Sequence, residues 1–323
     1  MVAERREIIS CQWSVVSCQL CFKTTGLTTS DNGQRTTDHW QRITDHWQRT
    51  TDQYMRGRER ARRLLVTLTG GRTRIRVHPS ASFVVSKDAK LLSGNIVIGR
   101  DSSVTIEAGV IIDSDLTIGD NCTVVFSKDS RLVNTSFGVT NGSIVHIGEG
   151  AIINSPVSPQ SSVYIDNGTF NLELRAHVMS TSILVRFGGT LTIGRYTGIA
   201  YDSEIRCEQQ IDIGSYNMIS YRVCIYDTNT HSTDWRERRK RIEHCYPEGV
   251  YEEVKPATRP VFIGDDVWIG KEATITKGAR VGNRCIIGIR TVLGAEVIDD
   301  DSIVVAGNPR VISREPATVK SNV

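Results

Sequence analysis

The stretch Asp227-Thr228-Asn229-Thr230-His231-Ser232-Thr233-Asp234 sets one imidazole between two carboxylates. An imidazole titrates near neutral pH, so it can take a proton from a hydroxyl that is too weak a nucleophile by itself. Its other ring nitrogen is expected to donate to a carboxylate or a backbone carbonyl. Asp227 and Asp234 are the nearby carboxylates, and spacing does not choose between them. Asn229 could hydrogen-bond a bound molecule or cap the loop. His244 is a second imidazole in the same stretch, held in reserve. Arg236, Arg238, Arg239, Lys240 and Arg241 make a dense basic run, either a solvated face or a contact for an anion. Zinc chemistry is not expected, because His146, His177, His231 and His244 show no paired ligand spacing. The eight cysteines, irregularly scattered, are expected to be free thiols.

The elements that position this stretch follow from a period of six. Ile263, Ile269, Ile275, Val281, Ile287 and Leu293 recur without a slip, and Gly264, Gly270, Gly282, Gly288 and Gly294 follow five of them. Neither the 3.6 period of a helix nor the 2 of a strand gives this. A six-residue unit supplies one short strand and one corner, and three units close a triangular coil. The aliphatic residue points inward and the small residue takes the corner. Coils stack about 4.8 Å apart, the ordinary strand spacing. Ile193, Ile199, Ile205 and Ile211 keep the same period, and after a two-residue slip so do Ile213, Ile219 and Ile225. Ile98, Val104, Val110 and Leu116, then Ile118 and Val124, repeat it upstream. Between about 126 and 190 the pattern is weak. The period stops at Ile225 and resumes at Ile263, so the His231 stretch is an insertion too long for a corner. Long loops on regular scaffolds commonly carry function.

The run Ile263-Gly264-Asp265-Asp266-Val267-Trp268-Ile269-Gly270, with the later Ala306-Gly307-Asn308-Pro309-Arg310-Val311-Ile312, resembles the hexapeptide-repeat acyltransferases. The likeness covers about 190–312 and is nearest to the maltose/galactoside O-acetyltransferase branch and its polysaccharide-modifying relatives. It implies an all-β, left-handed parallel β-helix, a homotrimer, and acyl transfer from acetyl-CoA to a hydroxyl of a sugar or polysaccharide precursor. It implies that His231, in its Thr-His…Asp setting, is the general base. Glu208 sits roughly one coil upstream of Thr228, where members hold a substrate-facing acid. With Glu208, the candidate acceptor contacts are Asp227, Asn229 and Asp234. The donor groove would be lined by Trp268, Gly270, Lys271, Gly288 and Ile289, with Arg310 as a phosphate contact. The chain departs from the family in carrying Ile289, Arg290 and Thr291 where small residues are common, and in having Arg310 directly after Pro309. N-acetylation of an amino sugar would use the same base. A non-catalytic β-helix scaffold is the other alternative.

The expected organisation is a low-complexity leader over 1–58, irregular β-helix coils over 59–190, the acyltransferase domain over 191–312 with its catalytic loop at 226–262, and a tail over 313–323. In the leader a seven-residue unit occurs three times between Arg35 and Met55, with adjacent threonines that disfavour helix. Met55 is a plausible start if the leader is translated repeat DNA. The whole chain, 323 residues with 39 basic and 36 acidic side chains, is near neutral, which gives no reason to expect nucleic-acid binding. No run of about eighteen apolar residues is present, so no membrane-spanning helix is expected, and a cytoplasmic protein is.

Overall fold

A computed structural model describes residues 73–156, 161–245, 254–307 and 311–313. The leader 1–58, residues 246–253 of the expected loop, Arg310 and the tail beyond Ser313 lie outside the described residues. The described chain is a parallel β-solenoid. Three strands per coil stack into three faces, and one of these faces is a ten-stranded sheet running from Ser82–Val85 to Val297–Ile298. Every pairing between successive coils is parallel. The closing pair, Ser302–Val304 with Val311–Ser313, is antiparallel. We call the ten-stranded sheet the second face, so each coil runs first, second, third face.

The periodic aliphatics are the core. Ile98, Val104, Val110, Leu116, Ile199, Ile211, Ile269, Ile275 and Ile287 are completely buried, and Ile263 and Val281 nearly so. Each fully buried aliphatic contributes about 1.5–3 kcal/mol. The two-residue slip has a structural cause. On Gln210–Ile213 inward and outward residues alternate, so Ile211 and Ile213 both face the core. A coil with such a strand is longer: Thr190 pairs with Gln210, whereas Trp268 pairs with Ile286. The upstream coils are therefore about twenty residues long and those after the insertion seventeen or eighteen.

The weak pattern between 126 and 190 hides ordinary coils. Strands there reach ten residues in Arg131–Thr140, and Phe126, Phe137 and Phe170 fill the interior. Thr169 pairs with Ile144, a coil of twenty-five residues, which erases the six-residue count.

The glycines at the corner serve close stacking rather than a special dihedral. A Cβ on Gly194 would meet the Gly214 carbonyl carbon at 2.5 Å, one on Gly214 the Gly264 carbonyl carbon at 2.6 Å, and one on Gly264 the Gly282 carbonyl carbon at 2.7 Å. The left-handed backbone lies two residues further on, at Tyr196, Tyr216, Asp266 and Arg284. Gly264→Ala is expected to lower stability by about 1–3 kcal/mol through overpacking against backbone. Thermal denaturation of the purified variant checks this.

Four described cysteines, Cys122, Cys207, Cys224 and Cys285, are free thiols. Cys18 and Cys21 form a Cys-x-x-Cys spacing that lies outside the described residues. No helix among the described residues is long and apolar enough to cross a membrane.

Candidate active site

The insertion leaves the first face after Cys224–Tyr226 and rejoins the second face at Val261–Ile263. Its two ends are tied together. The Asn229 N–H donates to the Ala257 carbonyl at 3.0 Å, the Arg259 N–H donates to the Asp227 carbonyl at 2.9 Å, and Thr228 bridges Thr258 in antiparallel fashion. Beneath this neck lies Asp227, fully buried. Its carboxylate accepts the N–H groups of Glu208 at 2.8 Å and of Gln209 and Gln210 at 2.7 Å each. Burial pushes the Asp227 carboxyl up, and the three N–H donors oppose the shift.

Glu208 lies one coil earlier, where the repeat count placed it, and accepts the Thr228 hydroxyl at 2.7 Å. Its other oxygen takes the Arg186 Nε–H at 2.6 Å. Both acids differ from expectation: neither can touch an acceptor. Asp227 is spent on the backbone of the coil below, and Glu208 is 1% exposed with both oxygens engaged. They build the floor on which the loop stands.

His231 follows a strained residue. Thr230 has φ +63°, a left-handed conformation unusual for a β-branched side chain, and its N–H donates to the Thr228 hydroxyl at 3.0 Å. Such backbone costs about 1–3 kcal/mol. Thr230→Gly is expected to raise stability by about 1 kcal/mol in urea denaturation, and to lower turnover by loosening the turn that aims His231.

Sequence reading missed the helix that faces His231. This helix, α1, spans Trp235–Cys245. Asp234 caps it, accepting the Arg236 N–H at 2.8 Å, and Glu237 sits in the first turn. The signal was present in the sequence: Asp234 followed three residues later by Glu237 has the spacing of a capping box. Helical spacing divides the basic run. Arg241 is buried and its Nη1 donates to His231 Nδ1 at 2.6 Å, while Arg238, three residues earlier, donates to the Ser232 carbonyl at 2.8 Å. Arg236 and Arg239 lie over the exposed Trp235 ring at 5.0 and 4.8 Å.

The carboxylate partner expected for His231 is thus replaced by a guanidinium. Asp227 is buried below and Asp234 is the helix cap. Since arginine only donates, the neutral ring accepts at Nδ1 and carries its proton on Nε2. Burial, with Arg241, Arg206, Arg186 and Arg238 adding to it, holds the His231 imidazole down to about 4. The ring is therefore neutral at neutral pH. Asn229 and Asp234 remain at the loop surface, partly and largely exposed. His244 is exposed on α1 and bonded through Nδ1 to the Lys240 carbonyl at 2.6 Å.

The residues expected at the donor lie on a different corner. Trp268 stands outward on the third face, half exposed, between Met218 and Ile286 of the paired strands. Gly270-Lys271 and Gly288-Ile289 occupy equivalent places in successive coils, where the third face turns into the first. The Gly270 N–H donates to the Ile287 carbonyl at 2.7 Å and the Gly288 N–H to the Val304 carbonyl at 2.6 Å, so these two donors are used in stacking. Lys271 Nζ lies 3.4 Å from Glu272 and over the Tyr221 ring at 5.1 Å. The Ile289 side chain is exposed. The His231 loop instead rises where the first face turns into the second.

Residues 260–295 match the family described as bacterial transferase hexapeptide, six repeats. Solved structures similar to the chain include the polysialic-acid-specific acetyltransferase NeuO, 14% identical, covering 78% of this chain and 92% of that one, with a TM-score of 0.33. A hexapeptide-repeat acetyltransferase from Vibrio cholerae O1 biovar eltor, complexed with acetyl coenzyme A, is 23% identical over 47% of this chain and 73% of that one, with a TM-score of 0.36. The polysialic acid O-acetyltransferase OatWY is 15% identical over 77% and 94%, with a TM-score of 0.32. Among curated proteins none matches the chain. The residues matched to this hexapeptide-repeat family are the short regular coils after the insertion.

Proposed function

We propose that the chain is an acyltransferase that moves an acetyl group from acetyl-CoA to a hydroxyl of a saccharide, with His231 as general base. One observation carries the reading. The only described break in the solenoid after Ser161 places a neutral, half-buried imidazole on a strained turn, tied down at both ends of the loop. A proton acceptor has to be neutral at the working pH, and a held imidazole near the thioester is what hydroxyl acylation needs. Matched repeats of a transferase family support the same reading.

The donor site in this proposal is lined by Trp268, Lys271 and Ile289; Arg310, the phosphate contact that the resemblance implies, lies outside the described residues. Asn229 and Asp234 are the loop residues left to meet the acceptor. The His231 corner and the Trp268–Ile289 corner are different edges of one triangular coil. Two edges of a triangle point apart, so donor and base meet only where the edge of one protomer faces the other edge of its neighbour. That arrangement closes as a homotrimer, with three sites between subunits.

The test is incubation of the protein with acetyl-CoA and a saccharide panel while free thiol is followed. Acceptor-dependent thiol release that His231→Ala lacks supports the proposal. Release that persists in the variant assigns the base elsewhere, His244 first. An absence of release together with an absence of CoA binding by calorimetry returns the chain to a scaffold.

A further inference from the structure

The two legs of the insertion hang from one corner of the solenoid by threonine hydroxyls. On the returning leg the Thr258 hydroxyl donates to Gln209 Oε1 at 2.8 Å. On the outgoing leg the Thr228 hydroxyl donates to Glu208 Oε2 at 2.7 Å. The supports differ in depth. Gln209 is half-buried beside an exposed contact, whereas Glu208 and Thr228 are 1% and 5% exposed. The buried pair belongs to a column through successive coils. Val185 pairs with Cys207 and Arg206 with Tyr226, so Arg186, Glu208 and Thr228 stand one above another at the end of the first face. Arg186 reaches Glu208 Oε1 with both Nε and Nη2, which leaves Oε2 to Thr228.

The direction of these bonds is fixed. A guanidinium only donates and a carboxylate paired with it only accepts, so the single hydroxyl proton of Thr228 points down to Glu208. The lone pairs of the Thr228 oxygen then face up, where they accept the Thr230 N–H at 3.0 Å. Thr230 is the left-handed residue directly before His231. A hydroxyl held in this polarity is what ties the strained turn to the solenoid. Resting on the transferase reading above, we propose that Glu208 is a positioning residue for His231: through the Thr228 hydroxyl and the Thr230 N–H it holds the imidazole where the acceptor's proton is taken.

Glutamine at 208 keeps the shape and changes one end from acceptor to donor. If its amide group faces Arg186, two donors meet. If it faces Thr228, the hydroxyl oxygen receives that group as well as the Thr230 N–H, and the hydroxyl proton loses its present acceptor. Either way the buried column no longer sets the hydroxyl, and Thr230 is free to relax towards ordinary backbone. The ring then leaves its half-buried place. Valine at 228 removes the hydroxyl and keeps the branched shape, and serine keeps the hydroxyl alone. The two substitutions at 228 change no charge.

The first readout needs no turnover. Full-length protein is titrated by NMR on the His231 ring, assigned with His231→Gln. Burial, then Arg241, Arg206, Arg186 and Arg238, hold the wild-type ring down to about 4. Loss of the Glu208 charge by itself would push the midpoint lower still, whereas release of the ring into water raises it towards 6.5. The two causes therefore have opposite signs. A rise is expected in Glu208→Gln and in Thr228→Val, with Thr228→Ser close to wild type. In turnover, Glu208→Gln and Thr228→Val are expected to lower kcat by about 10–10²-fold, as misplacement of a catalytic group does. The acceptor KM should stay near wild type, and neither variant should cost anything further in a His231→Ala background. A midpoint that falls or stays in place in both variants would overturn the proposal, whatever the turnover result. So would an equal loss of activity in the His231→Ala background, or a raised acceptor KM with kcat unchanged, which would make Glu208 an acceptor contact. If Glu208→Gln fails to fold, the valine and serine variants at 228 decide the matter. Midpoints that move as expected without thiol release from any acceptor would sink the transferase reading and leave the placement of the ring by Glu208 standing.

Discussion

Replacement of His231 by alanine is expected to lower acceptor-dependent release of CoA thiol by about 10²–10⁴-fold, the usual contribution of a positioned base. The loss should fall on kcat with CoA affinity unchanged, because the residues proposed for the donor lie on another corner of the coil. Two pH measurements belong to the same side chain. A free imidazole titrates near 6.5, and the folded ring near 4. The acid limb of kcat/KM, which reports the free enzyme, should therefore lie near pH 4. Stability follows the same pair of values. Between 6.5 and 4 the unfolded chain takes up a proton that the folded chain refuses, so stability falls as pH drops through that window. The contribution is fully present above 6.5. Urea denaturation at pH 7 and pH 5 should show a smaller pH difference in His231→Gln than in wild type. An acid limb near 6.5 in kcat/KM would contradict the contact with Arg241.

The solenoid was legible because its repeat is carried by single residues. Ile263 to Leu293 need no context to be read as a stack, since the same side chain fills the same place every coil. The coils between 126 and 190 were illegible for an equally plain reason. Phe126, Phe137 and Phe170 fill the volume that smaller residues share elsewhere, and strands such as Arg131–Thr140 carry several inward residues. Coil length then varies from about twenty to twenty-five, and a fixed period has nothing to lock onto. The stacking relation between Glu208 and Thr228 survived because it spans a single coil.

At the loop, the sequence put His231 on the insertion and mistook its surroundings. Neighbours in the chain suggested a carboxylate partner, but Asp227 turns inward to the backbone of the previous coil and Asp234 is consumed by a helix cap. The partner that matters comes from one helical run further on. Only when 235–245 is folded as α1 do Arg238 and Arg241 fall on the side facing His231, while Arg236 and Arg239 flank Trp235. A linear basic run carries no such division. The capping-box spacing of Asp234 and Glu237 was the one local sign of it.

The loop's foundation is the most sensitive structural point. Asp227→Ala removes the acceptor of three backbone N–H groups at a fully buried position. Each buried donor left unsatisfied costs about 1–3 kcal/mol. The three lie on consecutive residues and would relax together, so a loss of about 3–5 kcal/mol is expected rather than the full sum. That is a large share of a typical domain's stability. Asp227→Asn should cost less, because one oxygen survives, while its amide group must face an N–H. The damage should be local in origin. Arg259 donates to the Asp227 carbonyl, and Thr228 next to it holds Glu208, so the neck of the insertion opens when this floor shifts. Hydrogen exchange is the measurement that separates this from general weakening. Amides of 208–210 and 228–232 should lose protection in Asp227→Asn, while those of Thr274–Ile275 and Ile286–Ile287, two strands of the next coil, keep theirs. Protection lost equally in both regions would mean that the loop and the solenoid unfold as one unit, and that the acid supports the fold rather than the site.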